Sequence, residues 1–244
     1  VAGASFVLIL VKSYDTASAV ARIAPYLHRD ATVVSLQNGL GNVERIRQAL
    51  PAGQIVLGGV TTQAARRVSP GLVLHTGEGL TYIGYRSDAE QACAESLVAL
   101  LNAAGMPAVV TDELNHAVWQ KLAINSAING PTAIAKVANG DILRSPHLLL
   151  AAEELANESA RIALANGVRL EKITLTLHET LQATASNRSS MLQDIEANRR
   201  TEVDAIYGAQ IRAGTLRGVP SPALTVMDAL VRAVSRENPL EEDE

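Results

Sequence analysis

The sequence predicts an α/β half followed by an all-helical half, and three observations carry that prediction. Short apolar runs rich in β-branched residues alternate with helical patterns as far as Thr111. Beyond Thr111 the strand signals stop, and helical patterns punctuated by glycine and proline fill the remainder. Within that remainder, Lys121, Asn125 and Asn129 recur every fourth residue in an otherwise apolar segment. The expected domains are residues 1–111 and 112–244.

Phe6-Val-Leu-Ile-Leu-Val11 reads as a strand buried on both faces of a parallel sheet. Asp15 to Leu27 follows as a helix, Thr32 to Leu36 as a strand, Asn42 to Leu50 as a helix and Ile55 to Val60 as a third strand. That alternation is the pattern of right-handed crossover units. Leu72 to His75 and Leu80 to Ile83, separated by Thr76-Gly-Glu-Gly79, read as a hairpin, Asp88 to Ala104 as a helix and Pro107 to Val110 as a last strand. Helical patterns then cover 112–129, 132–138, 147–166, 172–184, 189–197, 201–213 and 221–236. Leu148 to Ala152 is an apolar stretch suited to core or interface. The tail Glu241-Glu-Asp-Glu244 is expected to be disordered.

In open parallel sheets, ligands bind outside the carboxyl ends of the strands. Lys12 follows the first strand and Asn38-Gly-Leu-Gly41 follows the second, so both are expected to face one crevice. Glycines there would let backbone amides approach a ligand, and the helix start after them favours anionic groups.

The Lys121 stripe is the other candidate site. A four-residue spacing keeps side chains on one helix face, with a drift of roughly 40° per step. Burying an ammonium is costly unless something pairs with it, and asparagines are poor helix formers. Each alone is more often a solvated residue; in register they make a donor array, and Gly130-Pro131 is expected to end the helix just after Asn129. Further on, Arg188 to Glu196 looks like a serine-capped helix start, with capping the plain role of Ser190 and solvation that of Glu202. An unbroken helix would separate those two by roughly 18 Å. One site could use both only if the chain bends near Asn198-Arg-Arg200.

Composition narrows the function classes. A net charge of −4 offers no basic excess for nucleic acid. The single cysteine, Cys93, excludes an intrachain disulfide and fits a reducing cytoplasm. Phe6 to Val11 is too short to span a membrane. The five histidines have no metal-ligand spacing, so no metal is expected. Beginning on Val rather than Met, the chain is expected to start after processing or within something longer.

Several motifs in order, Val11-Lys-Ser-Tyr-Asp-Thr16, Gln37-Asn-Gly-Leu-Gly41, Thr61 to Arg67, Lys121 to Asn129, Ala138-Asn-Gly-Asp141, and Ser189 to Asp194 followed by Thr201-Glu-Val-Asp204, resemble the 2-dehydropantoate 2-reductase (ketopantoate reductase) family. The resemblance implies an incomplete Rossmann-type parallel sheet and an all-α C-terminal domain of the 6-phosphogluconate dehydrogenase C-terminal-like kind. It implies NADPH-dependent reduction of ketopantoate to pantoate, in pantothenate and coenzyme A biosynthesis, by a cytoplasmic enzyme whose helical domain suits a homodimer. Carried over, Lys121 resembles the general acid, and Glu202 the glutamate near the lysine and nicotinamide. Asn125, Asn129, Asn139 and Ser190 resemble the substrate-binding set. Lys12, Asn38 and Ala65 resemble cofactor contacts, Asn38 lying at the junction with substrate.

The Gly-x-Gly-x-x-Gly turn of the family does not precede the first strand, and by comparison the chain starts roughly sixty residues late. Truncation of an ordinary reductase is the favoured expectation, and it would leave Phe6 to Val11 as an exposed apolar edge. The alternatives are a cofactor-deficient remnant acting as a helical oligomerisation or binding module, and a related two-domain dehydrogenase with another substrate.

Overall fold

The computed structural model describes residues 2–235, so the acidic tail and residue 236 of the last expected helix lie outside it. The chain divides into two compact units, Val1–Val118 and Trp119–Glu244.

The first unit holds β1 (Phe6–Ile9), β2 (Thr32–Ser35), β3 (Val56–Thr61), β4 (Ala64–Ser69), β5 (Leu72–Gly77), β6 (Thr81–Gly84) and β7 (Ala108–Thr111). Its helices are α1 (Thr16–Ile23), α2 (Asn42–Ala49) and α3 (Asp88–Ala103). Five strands form one sheet in the order β1-β2-β3-β6-β7. The period-2 alternation of each strand decides which face a residue covers. Ile9, Val33 and Val56 pack against Val20 of α1 and Ile46 of α2. Val34, Leu57 and Ile83 pack against Ala94, Leu97 and Leu101 of α3. Fully burying one such side chain is worth about 1.5–3 kcal/mol.

The sheet is parallel from β1 to β3 and again from β6 to β7, but β3 and β6 run antiparallel. That reversal corrects the expected hairpin. Leu72 to His75 and Leu80 to Ile83 are not partners: β5 pairs with β4 in a two-stranded ribbon, and β6 returns to the main sheet beside β3. The reversal point is Pro70-Gly71, with Gly71 at φ 79°, where proline presets one turn residue and glycine the left-handed one. Thr76 to Gly79 instead passes close to the outgoing chain, since a Cβ on Gly79 would lie 2.4 Å from the Thr62 carbonyl carbon. The small and charged residues of β4 hid the strand from a hydrophobic pattern.

β1 also differs from expectation. It ends at Ile9 and lies at the sheet edge among the described residues, with Leu8 40% and Leu10 63% exposed. It is therefore not buried on both faces.

The divide between the units falls inside α4 (Leu114–Ala135). The second unit continues with α5 (Asp141–Arg144), α6 (Pro146–Ala165), α7 (Ile173–Ala183), α8 (Ser190–Glu196), a π-helical turn (Asp204–Gly208), α9 (Ala209–Leu216) and α10 (Pro222–Val234). Gly130-Pro131 does not end α4, because Pro131 sits inside the helix and the following turn continues to Ala135. The exit comes at Lys136, the first residue with positive φ (56°) after the helix. α4 is buried on almost every side from Trp119 to Ala133, and hydroxyl groups bind it to its neighbours. Ser126 Oγ meets Ser159 Oγ of α6 at 3.0 Å, and Thr132 Oγ1 meets Ser189 Oγ, ahead of α8, at 2.8 Å.

α6 carries Glu158, which is fully buried and caps α10. Its carboxylate accepts from Leu224 N at 2.8 Å and Ala223 N at 3.2 Å, with Arg161 3.7 Å away. A carboxylate on the free amides of a helix start is the favourable end of the helix dipole. Of the Leu148 to Ala152 stretch, Ala152 is core and Leu150 is exposed.

Candidate active site

In the first unit the turns after β1 and β2 are stitched together by Gln37. Its amide donates to the Val11 carbonyl and to Thr16 Oγ1, each at 2.8 Å. Lys12 and Asn38 are the next residues of those two turns, so one side chain fixes their spacing. Asn38 O in turn accepts from Asn42 Nδ2 at 2.9 Å. Gly39 and Gly41 both have positive φ, 88° and 85°, which a residue with a Cβ adopts only with strain. Gly41 is the N-cap of α2 and no side chain caps the helix there. Ala65 lies elsewhere, exposed on the β4–β5 ribbon.

A cavity of about 300 Å³ opens near this turn, lined by Gln37, Gly39, Gly41, Arg47, Glu90 and Asn115 among others. None of Lys12, Asn38 or Ala65 lines it. Two of its charges are paired: Arg47 donates to Glu90 Oε1 at 2.9 Å, and also to the Val56 carbonyl at 2.6 Å. Burial, with Arg86 nearby, lowers the proton affinity of Arg47.

In the second unit Lys121 is partly buried on α4, and burial lowers its pKa to about 8 while the charge of Glu202 opposes the shift. Glu202 itself is buried. Asn125 is half-buried and Asn129 buried along the same face. The stripe is therefore real, and its lysine sits in the field of a carboxylate from a distant part of the chain.

The chain breaks where a shared site would need it to. α8 ends at Glu196, Asn198 takes φ 52°, and Arg199 N folds back onto Asp194 O at 2.8 Å. The cap of α8 is not Ser190 but Ser189, whose Oγ accepts from Leu192 N at 3.2 Å. A helix N-cap must precede the first helical turn, and Ser190 is already inside it and exposed.

Asn139 joins this neighbourhood through its backbone. Asn139 N donates to Asn187 O at 2.9 Å and Gly140 N to Ala185 O at 3.0 Å, which ties the turn after α4 to the approach to Ser189-Ser190. The Asn139 side chain donates to Thr184 Oγ1 at 3.0 Å, and Thr184 donates its own proton to the Thr180 carbonyl at 2.7 Å. That leaves Asn139 Oδ1 buried without a hydrogen-bond partner. A buried acceptor without a donor costs about 1–3 kcal/mol, so this oxygen is suited to a hydroxyl or amide donor.

Sequence reasoning missed Tyr207 and the stitching role of Gln37. Tyr207 is fully buried and hydrogen-bonded to α4. Its only signal in the sequence is that it is the one tyrosine after Tyr85. Among the described residues no three histidine, cysteine or acidic side chains cluster as metal ligands, and no helix is long and apolar enough to cross a membrane.

A crossover sheet with glycine turns at its strand ends, joined in one chain to a helical unit that holds an ammonium beside a carboxylate and a bank of amides, defines a dehydrogenase-type oxidoreductase acting on a small polar molecule. Comparison with known proteins makes this specific. The family profile "Ketopantoate reductase PanE/ApbA" matches residues 1–88, and "Ketopantoate reductase PanE/ApbA C terminal" matches residues 113–235. The chain is 39% identical to the 2-dehydropantoate 2-reductase of Halobacterium salinarum, over 97% of its own length and 78% of that protein's. It is 37% identical to that of Archaeoglobus fulgidus, over 95% and 76% respectively. The solved structure of a PanE/ApbA family ketopantoate reductase from Ralstonia eutropha superposes with a TM-score of 0.87 at 33% identity, covering 96% of this chain and 77% of that one. The chain belongs to the ketopantoate reductase family, a family of nicotinamide-dependent oxidoreductases. Matches that span both units do not favour a helical binding module as its role.

Proposed function

We propose that this chain reduces the 2-keto group of 2-dehydropantoate to pantoate with NADPH in the cytoplasm, as a homodimer, with residues 1–111 serving the dinucleotide and 112–244 the keto acid. The observation that carries the reading is Lys121, partly buried on α4 with its pKa brought to about 8 and the charge of Glu202 acting on it. An ammonium of that acidity gives up a proton more readily than an ordinary lysine and still carries it at neutral pH.

Lys12 and the Asn38–Gly41 turn fit a nicotinamide dinucleotide. They offer a cation and a glycine turn at an uncapped helix start, and a Cβ at Gly41 would meet nothing within 4 Å. When bound, NADPH supplies the hydride. In the α/β unit Lys12 and Asn38 are assigned to holding it, and Ala65, out on the β4–β5 ribbon, is a further contact that the family resemblance implies. Lys121 then hydrogen-bonds the carbonyl oxygen, stabilises the negative charge that develops there and donates the proton. Glu202 keeps the ammonium oriented. Asn125, Asn129, Asn139 and Ser190 hold the carboxylate and hydroxyl of the substrate, and the unpartnered Asn139 Oδ1 is matched to a hydroxyl donor.

The test is calorimetric titration with NADPH, alone and with ketopantoate present, followed by steady-state assay of Lys121→Ala. Binding, turnover and a loss of about a thousandfold in kcat/KM are expected. Wild-type protein that binds NADPH but leaves ketopantoate untouched while reducing another 2-keto acid would overturn the substrate assignment.

A further inference from the structure

α4 contains an interruption that the stripe does not explain. Pro131 has no N–H, so the Ala127 carbonyl lacks its helical donor. One residue earlier, Tyr207 Oη donates to the Ser126 carbonyl at 2.6 Å and accepts from Gly130 N at 2.9 Å. Ser126 and Gly130 are the two ends of one i→i−4 rung, so a single hydroxyl bridges the donor and acceptor that an ordinary helix pairs directly. A side chain entering the ladder is a recognised cause of a local change in helix direction.

Two features show that the surroundings are shaped to this insertion. A Cβ on residue 130 would lie 2.3 Å from Tyr207 Oη and 2.6 Å from Met227 Sδ, so only glycine admits the phenol. Tyr207 also belongs to the π-helical turn, where Ala209 N bonds back five residues to Asp204 O. The Ile206 carbonyl there accepts from Gln210 Nε2 at 2.8 Å. Single π turns inside α-helices are rare and concentrate at functional sites.

The segment that bears Tyr207 is also the one that bears Glu202. Glu202 acts on Lys121, at the start of the stripe, and Tyr207 acts on the Ser126–Gly130 rung, which begins just after Asn125 and encloses Asn129, the end of the stripe. Asn129 lies about 12 Å along the helix from Lys121. A change at the rung turns Asn129 relative to Asn125 and leaves Lys121, one turn earlier, in place.

We propose that Tyr207 is a positioning residue for keto acid binding: its hydroxyl, inserted between Ser126 and Gly130, sets the orientation of Asn129 independently of the Lys121–Glu202 pair. This rests on the reading that Asn125 and Asn129 hold the keto acid.

The test is Tyr207→Phe in the full chain, with Gly130→Ala as a second variant that pushes on the same contact from the other side. KM for ketopantoate is expected to rise about tenfold or more, as displaced binding groups do, while kcat stays within about threefold and the alkaline limb of the pH profile keeps its midpoint. In 15N spectra of the cofactor-free protein, the Asn129 side-chain amide is expected to shift in both variants. A fall in kcat at unchanged KM would mark a merely structural role and overturn the proposal. An unmoved Asn129 resonance would overturn it as well, whatever the kinetics. Wild-type protein without ketopantoate turnover would remove the reading it rests on, and the spectra would still decide whether Tyr207 orients Asn129.

Discussion

In the helical unit buried hydroxyls bonded to backbone surround the candidate site, whereas in the α/β unit the candidate residues sit on glycine turns. Thr132, Ser159, Ser189 and Tyr207 all hydrogen-bond within or onto the helices around Lys121. At the turns after β1 and β2 one side chain, Gln37, supplies the cross-link, and Gly39 and Gly41 keep the backbone open. The contrast matches the roles proposed for the two units. A developing oxyanion is stabilised most by groups that need no reorganisation, while a long dinucleotide is met by backbone amides that glycine leaves accessible.

The largest effect that would break the comparison is on the Lys121 proton. Burial lowers its pKa from the ordinary lysine value to about 8, and the proposed general-acid role needs the protonated form. The rate of ketopantoate reduction is therefore expected to be level below that pH and to fall about tenfold per unit above it. A profile that stays flat to pH 10 would mean that Lys121 is solvated and that the helical unit is not preorganised. Next comes Glu158→Ala, which strips the carboxylate from the first amides of α10 and leaves Arg161 without that partner. A loss of about 3 kcal/mol is expected in urea unfolding, because two helix amides lose a charged acceptor, with kcat of the folded fraction unchanged.

Gly59→Ala probes the sheet. A Cβ there would lie 2.7 Å from the Tyr82 carbonyl oxygen, a backbone atom, whereas at Gly58 its nearest neighbour is the Val43 side chain at 2.9 Å. Gly59→Ala should cost about 2 kcal/mol and more than Gly58→Ala; equal costs would mean that the strands shift as easily as a side chain does. The smallest effect is expected for Gln37→Ala. Losing its side-chain hydrogen bonds to Val11, Thr16 and Ser35 is worth about 1 kcal/mol, read as a several-fold higher KM for NADPH at unchanged KM for ketopantoate. An equal rise in both would show that the turns do not serve the cofactor alone.

Elements with one dominant local signal were legible in the sequence. α3 runs over Asp88–Ala103, within one residue of the expected helix, with Ser87 accepting from Glu90 N at its start, and β2 over Thr32–Ser35 is buried throughout. The ribbon was not legible, because β4 owes its pairing to β5 across Pro70-Gly71 rather than to its own hydrophobicity. Gly130-Pro131 misled for a related reason. Both residues favour a helix end in isolation, and the buried neighbours of α4, Tyr207 among them, override that preference.

By itself the sequence determined the two-part α/β-then-helical order, the polar stripe Lys121-Asn125-Asn129 and the glycine turn after β2, since periodicity and turn chemistry are local properties of the chain. Only the tertiary structure decided that Glu202 acts on Lys121, that Ser189 rather than Ser190 caps α8, that Asn139 presents a buried acceptor and that Tyr207 enters the α4 ladder. Those facts depend on contacts between residues far apart in the chain, and their strength comes from desolvation, which exists only once the helices have closed around them.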